Sequence, residues 1–259
     1  MILIVGDTHD DVLYFETVLA NKKTAYIFDR FKISIGTISS EEVVIIRDAN
    51  TSILASSIIS YILAGGLSPI LEKEYAVNLV IDVGKCIGVS EGLKSGNIAI
   101  SSAVIDTDVD LSKIRNVGFA EIPGFSRRFS VNNDDFALLS ENINKRPTVD
   151  FYKTTFLASD NMSQDMINYL REHKNIFSAT QEERFVVDHN SAGIALACSL
   201  VEIPFIIVKV IEHGFDLSSN LRTYTNVLTK YVDLGKGVTE AISNIGRSDV
   251  AEGETYEIR

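Results

Sequence analysis

Tryptophan is absent from the 259 residues, and cysteine (2), proline (4) and histidine (4) are scarce. The two cysteines, Cys86 and Cys198, lie inside apolar segments and are too few for a disulfide framework or a CxxC metal site. This cysteine usage favours a reducing compartment, so we expect a cytoplasmic protein. The N-terminal residues, MILIVGD, lack the charged start and the apolar segment of a secretion signal.

Basic residues are outnumbered by acidic ones, and long apolar runs are missing from the sequence. Lys and Arg total 24 against 35 Asp and Glu, which gives a formal net charge of −11. Such a chain lacks the basic face that binding to a phosphate backbone requires, so the expected role of the charge is solubility. No apolar run approaches the roughly 18 residues of a membrane span. We therefore expect neither a nucleic acid nor a membrane as a partner.

What the sequence does have is globular composition, with 46% hydrophobic and 23% charged residues. Strand patterns alternate with helix patterns, which predicts one domain over residues 1–259 with a mainly parallel sheet and helices on both faces. The predicted strands are Ile2–Val5, Ala25–Asp29, Lys32–Ile38, Glu42–Ile46, Val77–Val83, a strand around Ile98–Ile100, Tyr152–Leu157 and Phe185–Val187. The predicted helices are Asp10 or Asp11 to Ala20, Ser52–Leu63, Asn132–Asn144, Met162–His173 and Leu221–Ser243.

One stretch, Phe185–Asp216, combines several features in the length of a β-α-β unit. It reads FVVDHNSAGIALACSLVEIPFIIVKVIEHGFD, with a buried strand, a helix and a second buried strand. An Asp-His-Asn triplet at 188–190 follows the first strand, and Glu212-His213 follows the second. Ligands of open α/β sheets bind at the carboxyl ends of the strands. We therefore expect both polar groups to face one crevice.

Several short segments, taken in order, resemble the nucleoside phosphorylase superfamily and most closely its methylthioadenosine/S-adenosylhomocysteine nucleosidase branch. These segments are IVGDTHDDV, LVIDVGKCIGV, LKSGNIAIS, TDVDL, IPG at 122–124, Ser159-Asp160 and AGIALACSLVEIPFIIVKVI. The resemblance covers nearly the whole chain and implies a three-layer α/β/α domain with a mixed, partly closed central sheet. It also implies a small-molecule substrate, a purine nucleoside or thionucleoside, whose N-glycosidic bond is hydrolysed. No cofactor is implied. A homodimer is implied too, with Pro123 and Phe125 at its interface.

The resemblance implies roles for individual residues. Asp11 matches the Glu that orients the attacking water, Asn190 matches a Glu that binds the ribose hydroxyls, and His213 matches the Asp that protonates the purine. The other expected substrate-binding residues are Gly84, Lys85, Met162, Asp188, His189 and Glu212. Because an amide and an imidazole replace two carboxylates, we expect altered ribose binding and altered activation of the leaving base.

Two alternatives keep the fold and change the activity. Phosphorylases that resemble this family neutralise bound phosphate with Arg residues, one of them just before the glycine-rich segment. This chain has Asp82 or Val83 at that point, so hydrolysis is expected over phosphorolysis, and Arg47 is the residue that can overturn this. A catalytically inactive nucleoside-binding protein is the other alternative.

Metal sites are a third possibility with less support. Residues 6–9, GDTH, resemble the first motif of calcineurin-like phosphoesterases, but the later motifs that complete a two-metal site are missing. His9, His189 and His213 fall in the loops expected to form the pocket, yet no HxH or HExxH spacing accompanies them. The acidic turn over 106–110 lacks the twelve-residue calcium loop, so we expect a solvated or structural turn.

Overall fold

The computed structural model describes residues 1–113, 117–145, 150–215 and 221–252, the side chains of 221–226, 228 and 246–252 excepted. Asp216, the last residue of the stretch singled out above, lies outside the described residues. The strands are β1 (Ile2–Gly6), β2 (Ala20–Ile27), β3 (Phe31–Ile38), β4 (Glu41–Ile46), β5 (Leu79–Gly88), β6 (Ile98–Asp106), β7 (Phe129–Ser130), β8 (Phe151–Ala158), β9 (Phe185–Asp188) and β10 (Phe205–His213). The helices are α1 (His9–Val18), α2 (Ser52–Leu63), α3 (Ser68–Leu71), α4 (Asn133–Asn144), α5 (Gln164–His173), α6 (Ser191–Leu200) and α7 (Leu221–Glu252).

The strands form one mixed sheet in the order β10-β6-β8-β9-β5-β1-β4-β3-β2, with β7 paired to β6. Because β10 also pairs with β5, the strands β5, β10, β6, β8 and β9 close into a ring, and β1 to β4 extend from it. The strand pairs beside β1 and within β6-β8-β9 are parallel, whereas β2, β3 and β4 form the predicted antiparallel meander. Helices pack in groups, α2 with α6 and α7 with α1 and α4. The expected three-layer architecture with a mixed, partly closed sheet is confirmed.

β5 is longer than the sequence pattern predicts, and its extra length joins the ring to the open sheet. It pairs with β1 through Val83, and its last residues, Ile87 and Gly88, pair antiparallel with β9. The predicted end of this strand at Val83 is wrong, because pairing with β10 continues over residues 80–87. β5 therefore carries its side chains to the edge where the strands of the ring and of the open sheet meet.

Two helix predictions differ in outcome. The helix over Ser52–Leu63 is confirmed. α1 begins at His9 after Thr8, earlier than the expected capping positions Asp10 and Asp11. The reason is that the Asp11 carboxylate, in the first turn, accepts hydrogen bonds from both the backbone N–H and the hydroxyl of Thr8. Asp11 thereby secures the start of the helix from inside it.

α7 runs without a break through two glycines at which the sequence predicts a weak point. A Cβ added at Gly235 would lie 2.3 Å from the Tyr14 ring of α1, and one at Gly237 would lie 2.7 Å from Ile143 of α4. Close-packed helices leave no room for such an atom. The two glycines let α7 approach α1 and α4, and this packing accounts for their presence.

We expect Gly235→Ala to destabilise the protein by about 1–3 kcal/mol, the usual cost of overpacking a core. In an exposed helix the same change stabilises by up to about 1 kcal/mol, so the sign of the effect reports the contact with Tyr14. Urea unfolding of Gly235→Ala in the wild-type and Tyr14→Ala backgrounds measures it. If Gly235 is closely packed against Tyr14, Gly235→Ala destabilises the protein less in the Tyr14→Ala background than in the wild type. An increase in the free energy of unfolding of Gly235→Ala in the wild-type background contradicts close packing.

Candidate active site

A cavity opens where β1, β5 and β10 end at the same edge of the sheet. β5 runs parallel to β1 and to β10, so the three carboxyl ends meet there. The cavity has a volume of about 320 Å³ and is lined by Asp7, Thr8, Asp11, Asn50, Lys85, Cys86, Ile87, Met162, His189 and Glu212. Among the described residues, its wall thus includes the expected Asp11, Lys85, Met162, His189 and Glu212, but not Gly84, Asp188, Asn190 or His213.

The two carboxylate oxygens of Asp11 have different surroundings. Its Oδ2 accepts hydrogen bonds from the backbone N–H of Thr8 at 2.8 Å and from the Thr8 hydroxyl at 2.7 Å. Its Oδ1 is buried and has no hydrogen-bond partner within the described part of the chain. Gly84 makes room for this arrangement, since an added Cβ would lie 3.2 Å from Asp7 Oδ2 and 3.7 Å from Asp11 Cγ. Asp11 therefore brings a positioned carboxylate to the cavity wall, and the Tyr231 hydroxyl of α7 lies close to it.

A buried group of ionisable side chains adjoins the cavity, and we call it the Lys209 cluster: Lys209, Asp7, Asp82, Asp188 and Asn190. Lys209 Nζ lies 2.7 Å from Asp188 Oδ2, 3.0 Å from Asp82 Oδ2 and 3.5 Å from Asp7 Oδ1. The same ammonium donates a hydrogen bond to Asn190 Oδ1 at 2.5 Å, and Asn190 Nδ2 donates to Asp82 Oδ1 at 3.2 Å. Three carboxylates thus share one ammonium inside the protein.

Burial and charge oppose each other in the Lys209 cluster. Burial disfavours the charged form of Lys209, but the carboxylates of Asp188, Asp7 and Asp82 outweigh it and hold the pKa of Lys209 well above its usual value. Burial raises the pKa of Asp82 to about 7 despite the nearby ammonium. Burial also raises the pKa of Asp7 well above its usual value, and neighbouring carboxylates add to the effect. The cluster therefore retains protons at neutral pH.

Asp82→Asn is expected to remove a pH dependence from the stability of the protein. The pKa of Asp82 is about 7 in the folded protein against the ordinary value of 3.8. Between these values the folded state binds more protons than the unfolded state, so the stability that protonated Asp82 contributes is lost as the pH rises towards about 7.

Urea unfolding of wild type and Asp82→Asn over this pH range measures the effect. The free energy of unfolding of the wild type should fall, relative to that of the variant, by at least about 1 kcal/mol, since one unit of pKa difference corresponds to about 1.4 kcal/mol. Parallel curves for the two proteins would show that Asp82 titrates at its ordinary pKa.

Two residues expected at the ligand are engaged inside the Lys209 cluster instead. Asn190 is fully buried and uses both amide atoms within the cluster, so its placement differs from the expected contact with ribose. Asp188 is fully buried as well and accepts a hydrogen bond from the Ser191 hydroxyl at 2.6 Å. A neutral amide adds no further negative charge to three carboxylates, which is a physical reason for an Asn here. His189, between them, does line the cavity.

The wall of the cavity also carries a weak ion pair. Lys85 Nζ lies 3.8 Å from Glu212 Oε1, and both side chains are about one third exposed. His213 Nε2 lies 4.0 Å from Glu212 Oε2, while its Nδ1 is buried and has no hydrogen-bond partner among the described residues. The structure thus places His213 behind Glu212 and places Glu212 in the wall.

The loop that carries Met162 is held by the acidic turn. Asp108 accepts hydrogen bonds from the Ser159 hydroxyl at 2.6 Å and from the Asp160 backbone N–H at 2.7 Å. Asp160 Oδ1 in turn accepts from the backbone N–H of Ser52 at 3.1 Å. The acidic turn therefore has a structural role, as the sequence predicts, and it fixes Met162 at the cavity.

The sequence interpretation overlooked several groups of this site. Lys209 is a lone charge in the apolar strand FIIVKVI, and Asp82 interrupts LVIDVG in the same way. Buried Lys and Asp are rare unless they are paired. A Lys in one apolar strand and an Asp in another therefore predict an ion pair between the two strands. Asp7 and Tyr231 have no such local signal. Tyr231 lies on α7, where burial and then the nearby Asp11 carboxylate raise its pKa.

Arg47, the residue on which phosphate binding was expected to depend, does not line the cavity. Arg47 Nε lies 3.6 Å from Asp48 Oδ2, and Lys85 is the cation among the described residues of the cavity wall. Across the described ranges, no three His, Cys, Asp or Glu side chains are grouped so as to hold a metal ion. None of the described helices combines the length and the apolar character that a membrane crossing needs.

Sequence relatives of known name are bacterial nucleosidases. The 5'-methylthioadenosine/S-adenosylhomocysteine nucleosidase of Buchnera aphidicola subsp. Acyrthosiphon pisum (strain Tuc7) is 26% identical over 219 residues, which cover 83% of this chain and 86% of the relative. The enzyme of the same name from Bacillus cereus (strain B4264) is 25% identical over 169 residues, covering 65% and 71% of the two chains.

Solved structures and a family model agree on the fold. A putative methylthioadenosine nucleosidase from Weissella paramesenteroides superposes with a TM-score of 0.79 at 16% identity, covering 95% of this chain and 98% of that one. The Neisseria meningitidis 5'-methylthioadenosine/S-adenosylhomocysteine nucleosidase, in complex with methylthio-immucillin-A, superposes with a TM-score of 0.76 at 16% identity and 94% and 98% coverage. The model of the Phosphorylase superfamily matches residues 1–243. Because this match spans most of the chain and the fold agrees with it, the protein belongs to the phosphorylase superfamily.

Proposed function

We propose that the protein hydrolyses the N-glycosidic bond of a purine nucleoside or thionucleoside, with methylthioadenosine and S-adenosylhomocysteine as the first candidate substrates. The observation that carries the proposal is Asp11 in the cavity wall, whose Oδ2 is held by Thr8 and whose Oδ1 is buried, with the Tyr231 hydroxyl close to the same carboxylate. The names of the sequence relatives support it. A cavity of about 320 Å³ also suits a small ligand.

The reaction assigns a direct role to Asp11. Its Oδ1 accepts a proton from a water molecule as the water oxygen forms a bond to C1′ of the sugar. The bond from C1′ to the base nitrogen breaks, and its electron pair leaves with the base, which takes up a proton from a donor. The carboxylate also stabilises the positive charge that develops on the sugar in the transition state. The proton on Asp11 then returns to solvent.

Water is favoured over phosphate as the nucleophile by the charge of the cavity wall. Asp11 and Glu212 line it together with one described cation, Lys85, which is paired with Glu212 at 3.8 Å. Carboxylates repel a phosphate dianion, and phosphate sites depend on Arg or Lys clusters. Hydrolysis therefore remains the proposal, and phosphorolysis is its measurable alternative.

Two imidazoles are candidate proton donors to the leaving base. The resemblance implies His213, the last residue of β10, whose Nε2 lies 4.0 Å from Glu212 Oε2. His189 lines the cavity directly. An imidazole can act as an acid near neutral pH. Comparing kcat of His189→Gln and His213→Gln identifies the donor as the residue whose loss slows base release more.

The test of the proposed function is base release by the purified full chain. Methylthioadenosine, S-adenosylhomocysteine, adenosine and inosine are each incubated with and without inorganic phosphate, and the free base is measured by chromatography. Release that does not depend on phosphate is the expected result. Binding of adenine without release from any nucleoside would support the catalytically inactive alternative, and release only with phosphate would establish phosphorolysis.

We also propose a homodimer in the cytoplasm. The exposed Phe125, 40% accessible in this chain, supports an interface at the expected IPGF segment. Sedimentation equilibrium of wild type and Phe125→Asp tests the dimer, since a charge at the centre of an apolar interface weakens association.

A further inference from the structure

The Lys209 cluster holds more negative charge than its one cation can neutralise. Asp7, Asp82 and Asp188 all lie within 3.5 Å of the same ammonium nitrogen. Two surplus negative charges away from water are highly unfavourable, and a buried carboxyl without compensation takes up a proton instead. The three carboxylates are therefore not equivalent, and at least one of them carries hydrogen at neutral pH.

We propose that Asp7 is a neutral carboxylic acid in the cavity wall and that it donates a hydrogen bond to a hydroxyl oxygen of the bound nucleoside sugar. This inference rests on the proposed function for the identity of the ligand. Asp82 and Asp188 lie behind Asp7, and Lys209 is closer to each of them, at 3.0 Å and 2.7 Å, than to Asp7 at 3.5 Å. The carboxyl farthest from the cation is the one that gains least from being ionised.

Asp7 is also the member of the cluster that reaches the ligand. It lines the cavity and is 8% exposed, whereas Asp82, Asp188 and Lys209 are fully buried. Its Oδ1 is buried and faces Lys209 Nζ at 3.5 Å, whereas its Oδ2 lies on the side of Gly84 and Asp11. Oδ2 is therefore the oxygen that carries the proton to be shared with a ligand.

The electrostatic surroundings of Asp7 agree with this assignment. The groups that face it are Lys209 from β10, Asp82 from β5, Asp188 from β9 and Asp11 from α1. Burial is the largest influence and raises the pKa of Asp7, Lys209 lowers it, and the other three carboxylates raise it further. The Asp7 side chain also adds to the raised pKa of Tyr231 on α7, so that hydroxyl faces the same region in its neutral form.

Asp7 and Asp11 then form a matched pair around Gly84. An added Cβ at Gly84 would be 3.2 Å from Asp7 Oδ2 and 3.7 Å from Asp11 Cγ, so both carboxyls lie over the same glycine. Asp11 offers an acceptor and Asp7 offers a donor. A sugar hydroxyl, which is both donor and acceptor, and the attacking water suit this pair better than two carboxylates would.

The first test reads the proton on Asp7 without any activity. In the ¹³C-labelled full chain, the carboxyl carbon of Asp7 is followed from about pH 5 to about pH 9, and the spectrum of Asp7→Asn assigns its signal. We expect the chemical shift of the acid form at Asp7 at neutral pH. An ionised Asp7 at neutral pH overturns the proposal.

The second test asks whether the neutral acid donates to the ligand. Asp7→Asn keeps a hydrogen-bond donor in place of the acid, and Asp7→Ala removes it. We therefore expect kcat/KM for methylthioadenosine to be at least about tenfold higher in Asp7→Asn than in Asp7→Ala, which is the value of one hydrogen bond to the ligand. The KM of the wild type should also rise as the pH passes the pKa of Asp7, and the KM of Asp7→Asn should not. Thermal melting of both variants checks folding.

Equal kcat/KM for the two folded variants, or a rise of KM with pH in Asp7→Asn that matches the rise in the wild type, overturns the donor role. If the wild type releases no base from any nucleoside, the proposed function and the contact with the sugar fail together. The NMR titration is independent of that result and still decides whether Asp7 carries the proton.

Discussion

Replacing Lys209 with Met is expected to lower the free energy of unfolding by about 3–5 kcal/mol at neutral pH, the usual cost of leaving a buried ion pair without one partner. Lys209 is fully buried, and its ammonium lies within 3.5 Å of three carboxylates. Methionine has a similar length but no charge, so the change removes the cation while it preserves most of the packing. Asn190 also loses the hydrogen bond that its Oδ1 accepts from Lys209.

Urea unfolding measures the effect, and Lys23→Met is the matched control. Lys23 is an exposed lysine on β2, and its replacement should change stability by no more than about 0.5 kcal/mol. Lowering the pH should reduce the loss in Lys209→Met, because protonated carboxyls no longer need the cation. A cost for Lys209→Met that is no greater than that for Lys23→Met would mean that the carboxyls are already neutral and that the ammonium contributes nothing.

Replacing Asp11 with Asn is expected to lower kcat for base release by about 10²–10⁴, the usual contribution of a positioned general base. The two hydrogen bonds from Thr8 select the carbonyl oxygen of the new amide for the Oδ2 position. The amide nitrogen then takes the place of Oδ1, so that a donor replaces the acceptor facing the water. The affinity for adenine should change little, since the base does not depend on this carboxylate.

Asp10→Asn provides the control for Asp11→Asn. Asp10 is the preceding residue in α1 and is exposed, so the same chemical change outside the cavity should leave kcat within about twofold, as is usual for surface substitutions. Steady-state kinetics with methylthioadenosine and adenine binding by calorimetry separate catalysis from binding. A kcat for Asp11→Asn close to that of Asp10→Asn would remove Asp11 from the reaction.

Local sequence patterns were sufficient for most of the fold. Continuous apolar runs identified the buried strands, and the Ser52–Leu63 helix was predicted to the residue. The closure of the sheet is different, because β10 pairs with both β5 and β6 through contacts far apart in the chain. No local pattern encodes such pairing, so the partly closed sheet came from the resemblance of ordered segments to a family.

Glycine illustrates how tertiary packing changes the meaning of a local signal. Gly235 predicts a weak point in an isolated helix, yet in the structure it makes room for the Tyr14 ring, and α7 is continuous. Gly84 predicts the end of a strand, yet β5 continues past it and two carboxyls pack over it. In both cases the neighbour that decides the outcome lies far away in sequence.

The candidate site could also be predicted only in part from local sequence patterns. The loops that follow the strands were located from the sequence, and Asp11, Lys85, Met162, His189 and Glu212 line one cavity. The burial of Asn190 was not foreseen, because it depends on Lys209, a charge inside a strand that otherwise reads as core. A charged residue in an apolar strand therefore predicts a buried partner on another strand, and that pair can also engage residues of the nearby loops.

Hydrolysis in water enriched in oxygen-18 tests the central claim most directly. The wild type is incubated with methylthioadenosine in the presence of inorganic phosphate, and the sugar product is examined by mass spectrometry. If water attacks C1′ as proposed, the protein releases adenine and a methylthioribose that carries one oxygen-18 atom, with correction for exchange of the anomeric oxygen from a parallel sample of unlabelled product. A sugar 1-phosphate without the label, or no release of adenine, would contradict the account.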